Sequence, residues 1–166
     1  MELEIIKHKD ILFKDLLRAI KVKSVAWPYP VESQVKWMID NLGDFDEHVF
    51  LKEGNSDRAY LNLVRITFTS NDTEYMAYGI GNVCSSEKGK GYGKELMMKV
   101  GEYLEQKKYA GLLFCHTPLL DFYSRFGWEE IRREVCNLES FSDNIHIMSL
   151  FVPEETTSFI YNGKLF

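Results

Sequence analysis

The sequence predicts a mixed α/β (α+β) fold whose sheet is mostly antiparallel, and two patterns lead to this fold class. Stretches rich in β-branched and aromatic residues, separated by polar turn clusters, predict an antiparallel meander over residues 48–52, 59–68 and 74–83. After the third strand, an amphipathic helix over residues 94–107 leads to an apolar strand over residues 112–116. Because a strand–helix–strand order joins parallel neighbours, the strand after the helix should lie parallel to the third strand.

Two helices are predicted before the meander. A strand over residues 3–7 precedes a helix over residues 11–21, for which Asp10 is the predicted N-cap. A second helix starts at Val31 and stops at Gly43. The positions expected to face the core are Leu12, Leu16, Leu17 and Ile20 in the first helix, and Val31, Val35, Met38, Ile39 and Leu42 in the second.

The chain is expected to form one domain, because 166 residues with 45% hydrophobic content suffice for a single core. Closing strands are expected over residues 129–137 and 145–151, with a turn at residues 139–144, and the tail should pack back on the body. The predicted parts are a strand with two helices (1–45), the meander (46–83), a loop, helix, strand and short helix (84–131), the closing strands (132–152) and the tail (153–166).

Composition excludes several classes of protein. With a net charge of −5, the chain lacks the excess of basic residues that is typical of nucleic-acid-binding proteins. If this charge indicates a partner, it favours a cationic one. Three cysteines without a close pair indicate neither a disulfide framework nor a zinc site, so no metal is expected. The longest apolar run, residues 110–115, is too short to span a bilayer, and the charged N-terminus is no signal peptide. A cytoplasmic protein that does not act at a membrane is therefore expected.

A glycine-rich basic loop before the predicted helix at 94–107 has the features of an anion site. Its alternate glycines let the backbone approach a ligand closely, and the helix that begins near Tyr92 directs unsatisfied N–H groups at the loop. The glycines are Gly89, Gly91 and Gly93, and the lysines around them are Lys88, Lys90 and Lys94. A glycine turn ahead of a surface helix is the alternative interpretation.

Known glycine-rich templates narrow the choice of anion. The Walker loop fails at Lys88 and Glu95, and the dinucleotide fingerprint fails at Lys94. The loop instead resembles the acetyl-CoA loop of the GCN5-related N-acetyltransferases (GNAT), Arg/Gln-x-x-Gly-x-Gly/Ala, with Lys88 in the first place and Gly91 and Gly93 in the glycine places. Lysine in place of Arg or Gln is a departure from this motif.

A second motif, Phe122-Tyr123 followed by Phe126-Gly127-Trp128, resembles the late motif of the same family. It also fits a helix end that Gly127 caps in left-handed geometry. On both motifs and their spacing, the chain is identified as a GNAT member, directly over residues 75–131. The resemblance implies a central sheet of six to seven strands flanked by helices on both faces.

The resemblance also implies how acetyl-CoA is held as the acyl-donating cosubstrate. The pantetheine arm would pair with the edge of the third meander strand, and a backbone N–H near Val83 or Cys84 would meet the thioester oxygen. A plain β-bulge at this point is the alternative. The implied cofactor-binding residues are Gly81, Asn82, Val83, Cys84, Lys88, Gly89, Lys90, Gly91, Tyr92, Gly93, Lys94 and His116.

The reaction needs two proton transfers, one from the amine and one to the departing thiolate. Tyr123 is the predicted acid, as the family commonly uses a tyrosine there, although its hydroxyl alternatively only orders the helix. Glu47 and His48 are the predicted bases, with Glu74 and His116 as other candidates. No Cys or Ser has a recognisable His and acid motif, so direct attack is expected.

The acceptor is expected to be a primary amine of a small molecule, and a polycationic acceptor would suit the acidic chain. Trp27 and Tyr29 are candidate walls of the acceptor site, or a lid on the core. Trp27-Pro28, residues 46–48, the Tyr123 motif and residues 162–166 resemble the aminoglycoside 2′-N-acetyltransferase and NodA-like branch. A non-catalytic acyl-CoA-binding module, an adaptor protein, a protein N-terminal or lysine acetyltransferase, and a homodimer stay open.

Overall fold

The computed structural model describes residues 1–137, 142, 144–152, 155–163 and 166. The strands and helices of these residues are β1 (Glu2–Lys7), α1 (Phe13–Lys23), α2 (Val31–Asn41), β2 (Glu47–Glu53), β3 (Ser56–Ser70), β4 (Thr73–Ser85), α3 (Tyr92–Lys107), β5 (Ala110–His116), α4 (Leu120–Ser124), β6 (Glu129–Ile131), β7 (Cys136–Asn137), β8 (Ile145–Leu150) and β9 (Phe159–Ile160). No helix in the described part of the chain has both the length and the apolar character needed to cross a bilayer.

The hydrogen-bonded strand order is β1-β2-β3-β4-β5-β8-β6, and β9 pairs with both β3 and β7. Two pairings are parallel, β4 with β5 and β7 with β9. The β1–β2, β2–β3, β3–β9, β5–β8 and β6–β8 pairings are antiparallel. This order confirms the predicted mixed, mostly antiparallel sheet and the parallel strand after α3.

By its internal contacts the chain divides into two compact units, Met1–Val64 with Gly81–Lys99, and Arg65–Ile80 with Val100–Phe166. The single-domain organisation stays a prediction. In the first unit, α1 and α2 pack on the strands through an apolar core, so the long meander strands find the burial that their hydrophobic residues require. The buried members of this core are Leu16, Ala19, Ile20, Val22, Met38, Leu42, Phe50, Tyr60 and Cys84.

The start of α1 differs from the prediction. Asp10 lies in a 3₁₀ turn, His8–Asp10, and the N-cap of α1 is Leu12, whose backbone N–H donates to the Asp15 carboxylate at 3.4 Å. The N–H of His8 donates to the backbone oxygen of Asp46 at 2.7 Å, which holds the chain in this turn and delays the helix. The Asp10 cap was therefore wrong, because a contact distant in sequence outweighs the local cap signal.

Four positions predicted to face the core are exposed instead, and one of them, Val31, is the first residue of α2 and is 48% exposed. Leu12 is 57% exposed because it lies outside the helix, and Leu17 and Ile39 are 40% and 60% exposed. Leu17 and Ile39 directly follow the buried residues Leu16 and Met38, so each lies about 100° further round its helix. The core-facing stripes of α1 and α2 are narrower than the apolar pattern suggests.

Arg18 of α1 ties three elements of the first unit together. Its guanidinium donates two hydrogen bonds to Asp57, at 2.9 and 2.7 Å, and one each to Asp15 at 2.9 Å and Glu4 at 2.5 Å. It also lies over the ring of Phe50, 4.5 Å from the centroid. The hydrogen bond and charge of Arg18 hold the pKa of Glu4 below its ordinary value. Bidentate, partly buried ion pairs of this kind contribute more to the stability of the fold than exposed ion pairs do.

We expect Arg18→Ala to lower the free energy of unfolding by about 2–3 kcal/mol, because three carboxylates lose their shared cation. The matched control is Lys36→Ala, which removes the exposed Lys36–Asp40 pair of 2.7 Å and should cost under about 0.5 kcal/mol. Urea unfolding measures both. Equal losses in the two variants would contradict the assignment of Arg18 as a structural tie.

In the second unit, residues 77–80 of β4 pair in register with residues 110–113 of β5. The predicted strand at 129–137 is interrupted: β6 ends at Ile131, a 3₁₀ turn spans Arg133–Val135, and β7 follows. The interruption arises because β6 pairs with β8 whereas β7 pairs with β9, so the chain must bend between them. The uninterrupted strand was therefore wrong. Residues 139–141 and 143 of the predicted turn lie outside the described residues.

The described part of the tail packs on the second unit, as predicted. Phe159 and Tyr161 belong to its buried core, and the ring of Phe166 lies 5.1 Å from that of Phe114. A Cβ on Gly79 would overlap the Phe166 ring, which explains the glycine in the interior of β4. Residues 153, 154, 164 and 165 of the tail lie outside the described residues.

Candidate functional site

The loop between β4 and α3 has the backbone that the glycine pattern predicts. Gly89 and Gly91 have φ angles of +75° and +78°, in the region that residues with a Cβ rarely adopt. Apart from the adjacent residues in the chain, no heavy atom of the described residues lies within 4 Å of the Cβ position of either glycine. The first intrahelical bond of α3 runs from the N–H of Glu95 to the oxygen of Gly91 at 3.0 Å. The three N–H groups before Glu95 therefore precede the helical ladder.

The charges around this loop are arranged in favour of an anion. Its single acidic residue, Glu87, accepts from the guanidinium of Arg58 at 3.3 Å, and the same guanidinium lies 5.3 Å from the ring centroid of Tyr92. The same guanidinium also pairs with Glu53 at 2.9 Å, so Glu87 shares its cation with a second carboxylate. The three lysines of the predicted site are exposed: Lys88, Lys90 and Lys94. The loop thus combines a positive helix end with three solvated ammonium groups.

Ser86 adds a polar group that sequence reasoning did not single out. Its N–H donates to the oxygen of Arg58 at 2.8 Å, which fixes the start of the loop. Its hydroxyl oxygen is buried and has no hydrogen-bond partner among the described residues. A buried hydroxyl without a partner carries a desolvation cost that a bound ligand can remove. The available signal was the Ser85-Ser86 pair, which two residues separate from Gly89.

The end of β4 carries the residues predicted to meet the pantetheine arm. Asn82 has a φ of +56°, a local irregularity in the strand, and its amide donates to the Asn62 side-chain oxygen at 3.0 Å. Gly81 is buried, whereas Asn82 and Val83 are half-buried. Cys84 is buried in the first-unit core, and burial raises the pKa of its thiol to about 12. Cys84 is therefore no thiolate nucleophile at neutral pH.

A chain of buried hydrogen bonds leads from Asn82 to the predicted base. The Asn62 side chain accepts from Asn82 through its oxygen and donates through its nitrogen to the Tyr60 hydroxyl at 2.7 Å. That hydroxyl lies 2.6 Å from Nδ1 of His48. Nε2 of His48 in turn lies 2.9 Å from Nδ1 of His8. Since Tyr60 accepts from Asn62, the consistent arrangement has Tyr60 donating to His48 and His48 donating to His8. Every donor then points from Asn82 towards His8.

His48 is completely buried, and this decides its protonation state. Burial, with smaller contributions from the charges of His8 and Lys23, lowers its pKa to about 3. Glu47 is also buried, at 4% exposure. The other base candidates, Glu74 and His116, are exposed. At neutral pH His48 is therefore a neutral hydrogen-bonding group that holds Tyr60 and His8.

This pKa predicts a pH dependence of stability. In the unfolded chain the histidine titrates near ~6.5, so stability from a neutral His48 is fully present above that pH and is lost as the pH falls towards 3. Between about pH 7 and about pH 5, we expect a loss of about 2 kcal/mol from this group. Urea unfolding of the wild type and His48→Gln at both pH values measures it. The loss should shrink markedly in the variant, and equal losses would refute a neutral, buried His48.

The predicted acid, Tyr123, lies on α4 in the second unit. The 3₁₀ turn Thr117–Leu119 precedes this helix, and Gly127 ends the following turn with a φ of +78°, as the motif predicts. Tyr123 is 6% exposed. Burial, and secondarily Cys115, raises the pKa of its phenol well above the ordinary value. The hydroxyl therefore stays protonated at neutral pH, which is the state a proton donor needs.

Comparisons with known proteins identify the fold. Neither a family model nor a curated protein matches the sequence. The structure is similar to an acyl-CoA N-acyltransferase from Pseudomonas aeruginosa, with TM-score 0.63, 20% identity, and 90% of this chain and 99% of that one covered. It is also similar to Escherichia coli ElaA, with TM-score 0.61, 21% identity, and 90% and 98% covered. Tetrahymena GCN5 gives TM-score 0.58, 16% identity, and 95% and 99% covered.

The chain has the GNAT fold. In this GNAT fold the loop that begins at Ser86 lies in the first unit, and Tyr123 and His116 lie in the second. The base candidates divide likewise, with Glu47 and His48 in the first unit and Glu74 and His116 in the second.

The Trp-Pro-Tyr-Pro segment of this GNAT fold is held by Gln34, which sequence reasoning did not identify. The amide nitrogen of Gln34 lies within hydrogen-bond distance of the backbone oxygens of Tyr29 (3.0 Å) and Trp27 (3.4 Å) and of the Ser24 hydroxyl (3.1 Å). Trp27 packs partly against the first-unit core, whereas Tyr29 is 64% exposed. Trp27 therefore makes the contacts expected of a lid on the core, whereas most of the Tyr29 side chain is exposed to solvent.

Lys23 is a second buried polar side chain of this protein that the sequence did not indicate. It is only 5% exposed, and its ammonium lies 4.8 Å from the centroid of the Trp37 ring. Burial lowers its pKa to about 8. Lys23 lies at the end of α1 in an apolar stripe, and its long stem lets it pack there.

Proposed function

We propose that the protein is an acetyl-CoA-dependent N-acetyltransferase that transfers acetyl to a primary amine of a small molecule by direct attack. The observation that carries this proposal is the open, glycine-lined loop at Gly89 and Gly91 in front of α3. A pyrophosphate fits such a loop, because backbone N–H groups at a helix start bind anions. The unpartnered Ser86 hydroxyl and the exposed lysines favour the same ligand.

Acetyl-CoA, when bound, supplies the acetyl group as a thioester. The loop residues would hold its pyrophosphate, and Gly81, Asn82 and Val83 would hold the pantetheine arm. Asn62 supports this second role, since it fixes the side chain of Asn82. A backbone N–H near Val83 or Cys84 would stabilise the developing oxyanion. The high pKa values of Cys84 and Cys115, about 12 and about 11, favour direct attack over an acyl-cysteine.

The proton transfers are assigned to different groups. Tyr123 would protonate the departing thiolate, since its phenol keeps its proton at neutral pH. Glu47 remains the proposed base, with His116 as its rival. His48 is better suited to positioning, because a group whose pKa is about 3 takes up a proton poorly at neutral pH. Its hydrogen bonds hold Tyr60 and, through Asn62, the Asn82 side chain.

The acceptor is proposed to be a small, polycationic amine in the cytoplasm. The net charge of −5 supports a cationic acceptor through long-range attraction. Tyr29, exposed and held by Gln34, is the proposed contact for its apolar parts, and Trp27 the proposed support behind it.

Thiol release from acetyl-CoA in the presence of an amine panel tests the transferase. The panel contains spermidine, an aminoglycoside, a peptide with a free N-terminus and a lysine peptide with a blocked one. Acceleration by the first two supports the proposal, and mass spectrometry of the acceptor should show one added acetyl group. Acceleration only by a peptide would move the acceptor to proteins. Acetyl-CoA binding without any acceleration would indicate a non-catalytic acyl-CoA-binding module.

A further inference from the structure

Three side chains of the second unit form a hydrogen-bonded series outside the proposed acetyl-CoA site. Oγ1 of Thr117 lies 2.9 Å from Nε2 of His146, and Nδ1 of His146 lies 2.5 Å from a carboxylate oxygen of Glu130. Thr117 follows the last residue of β5, His146 lies on β8, and Glu130 lies on β6. The pairings β5–β8 and β8–β6 bring the three together, although their positions in the sequence are far apart.

The carboxylate fixes the tautomer of the histidine. Glu130 accepts from Nδ1–H, so Nε2 of the neutral ring carries the lone pair and accepts from the Thr117 hydroxyl. A hydroxyl that donates to a histidine, with that histidine oriented by a carboxylate, is the arrangement that activates an oxygen nucleophile. Thr117 is exposed, so a small ester can reach its oxygen.

The surroundings agree with an oxygen nucleophile at this place. Cys115, paired directly with His146 across the sheet, is buried, and burial together with Glu130 raises the pKa of its thiol to about 11. Cys115 therefore does not compete as a thiolate. Glu130 also lines an open cavity of about 280 Å³, together with Ile131 and Ser149 among others. That cavity borders Glu130, and its lining includes neither Thr117 nor His146.

We propose that Thr117 is a nucleophile, activated by His146, that takes an acyl group from small activated esters and releases it to water. Oγ1 attacks the carbonyl carbon while its proton passes to Nε2 of His146. The bond from carbon to the leaving oxygen breaks, and the alcohol or phenol departs with a proton. Water then attacks the threonyl ester with His146 as base, which frees the carboxylic acid and restores the Thr117 hydroxyl. Glu130 acts as a positioning residue.

This activity goes beyond the proposed acetyltransferase and does not depend on it. It requires no CoA, and its residues include none of those proposed for acetyl-CoA binding. An ester without a CoA moiety therefore tests it even if the protein binds no acetyl-CoA.

The probe is p-nitrophenyl acetate. Peptide mass spectrometry after brief incubation should find an acetyl group on Thr117 that hydroxylamine removes, as an ester requires, and p-nitrophenolate release should continue with turnover. His146→Gln should lower the labelling rate by about 100-fold or more, the usual worth of a general base. Thr117→Val, which keeps the side-chain shape, should abolish the label, and Thr117→Ser should retain it.

A readout specific to positioning is rescue by a conservative variant at Glu130. Glu130→Gln should slow the labelling of Thr117, and Glu130→Asp, which keeps a carboxylate that can accept from Nδ1–H of His146, should restore part of the lost rate. An unlabelled Thr117 in the wild type would overturn the proposal. So would equal labelling in His146→Gln, or ester turnover that persists in Thr117→Val. Thermal unfolding of each variant checks that the fold is intact.

Discussion

Gly91→Glu is expected to weaken acetyl-CoA binding by at least about 100-fold, or about 2.7 kcal/mol. The new side chain would enter the open space in front of Gly91, where the pyrophosphate is proposed to lie, and its carboxylate would repel the phosphates. A residue with a Cβ at a φ of +78° also strains the backbone that presents the N–H groups. Acetyl-CoA-induced thermal stabilisation, compared between variant and wild type, measures the loss.

Gly54→Glu is the matched control for this variant. Gly54 also has a positive φ, +58°, and no heavy atom of the described residues, apart from its chain neighbours, within 4 Å of its Cβ position, but it lies in the turn between β2 and β3. Both variants gain the same charge and should lose a similar stability of about 1 kcal/mol from backbone strain. Gly54→Glu should keep its response to acetyl-CoA. If both variants lose the response equally, the loop is not the binding site.

Tyr123→Phe is expected to lower kcat by about 100-fold or more, because the departing thiolate loses its proton donor. Binding of acetyl-CoA should change by less than about threefold, since the aromatic ring remains. Burial raises the pKa of Tyr123, so the wild-type rate should show no loss from its ionisation up to about pH 10. Steady-state thiol release, with the best amine of the panel, measures kcat and its pH profile.

Tyr161→Phe provides the corresponding control. Tyr161 is a second buried tyrosine of the same unit, and burial raises its pKa to about 12. Removal of its hydroxyl should leave kcat within about twofold, because it has no proposed role in proton transfer. An unchanged kcat in Tyr123→Phe would remove the tyrosine from the chemistry. Equal losses in both variants would point to a general effect on packing.

The strands β1 to β5 and helix α3 were predictable because their signals are local. Alternating and β-branched stretches mark β2 to β4 within a few residues, and the parallel placement of β5 follows from the helix between the strands. The start of α1 was not predictable in this way, since the backbone oxygen of Asp46 holds His8 in a turn. The bend between β6 and β7 likewise depends on a change of partner strand.

In the candidate site, too, the residues that are contiguous in the sequence could be predicted and those brought together by strand pairing could not. The loop around Gly89 and Gly91 is contiguous, so its glycines and lysines could be recognised from the sequence alone. The series from Asn82 to His8 joins residues tens of positions apart, and only the sheet pairings bring His48, Tyr60 and Asn62 together. His48 was singled out for the pKa of a free histidine, whereas its burial sets a very different value.

The most direct test of the acetyl-CoA site is a calorimetric titration of the unaltered protein with acetyl-CoA and, separately, with acetyl-pantetheine. Acetyl-pantetheine keeps the thioester and lacks the pyrophosphate. We expect acetyl-CoA to bind in the micromolar range and acetyl-pantetheine at least about tenfold more weakly, because the loop N–H groups and lysines lose their anion. Equal affinities, or no heat with acetyl-CoA, would contradict the assignment of the loop as a pyrophosphate site.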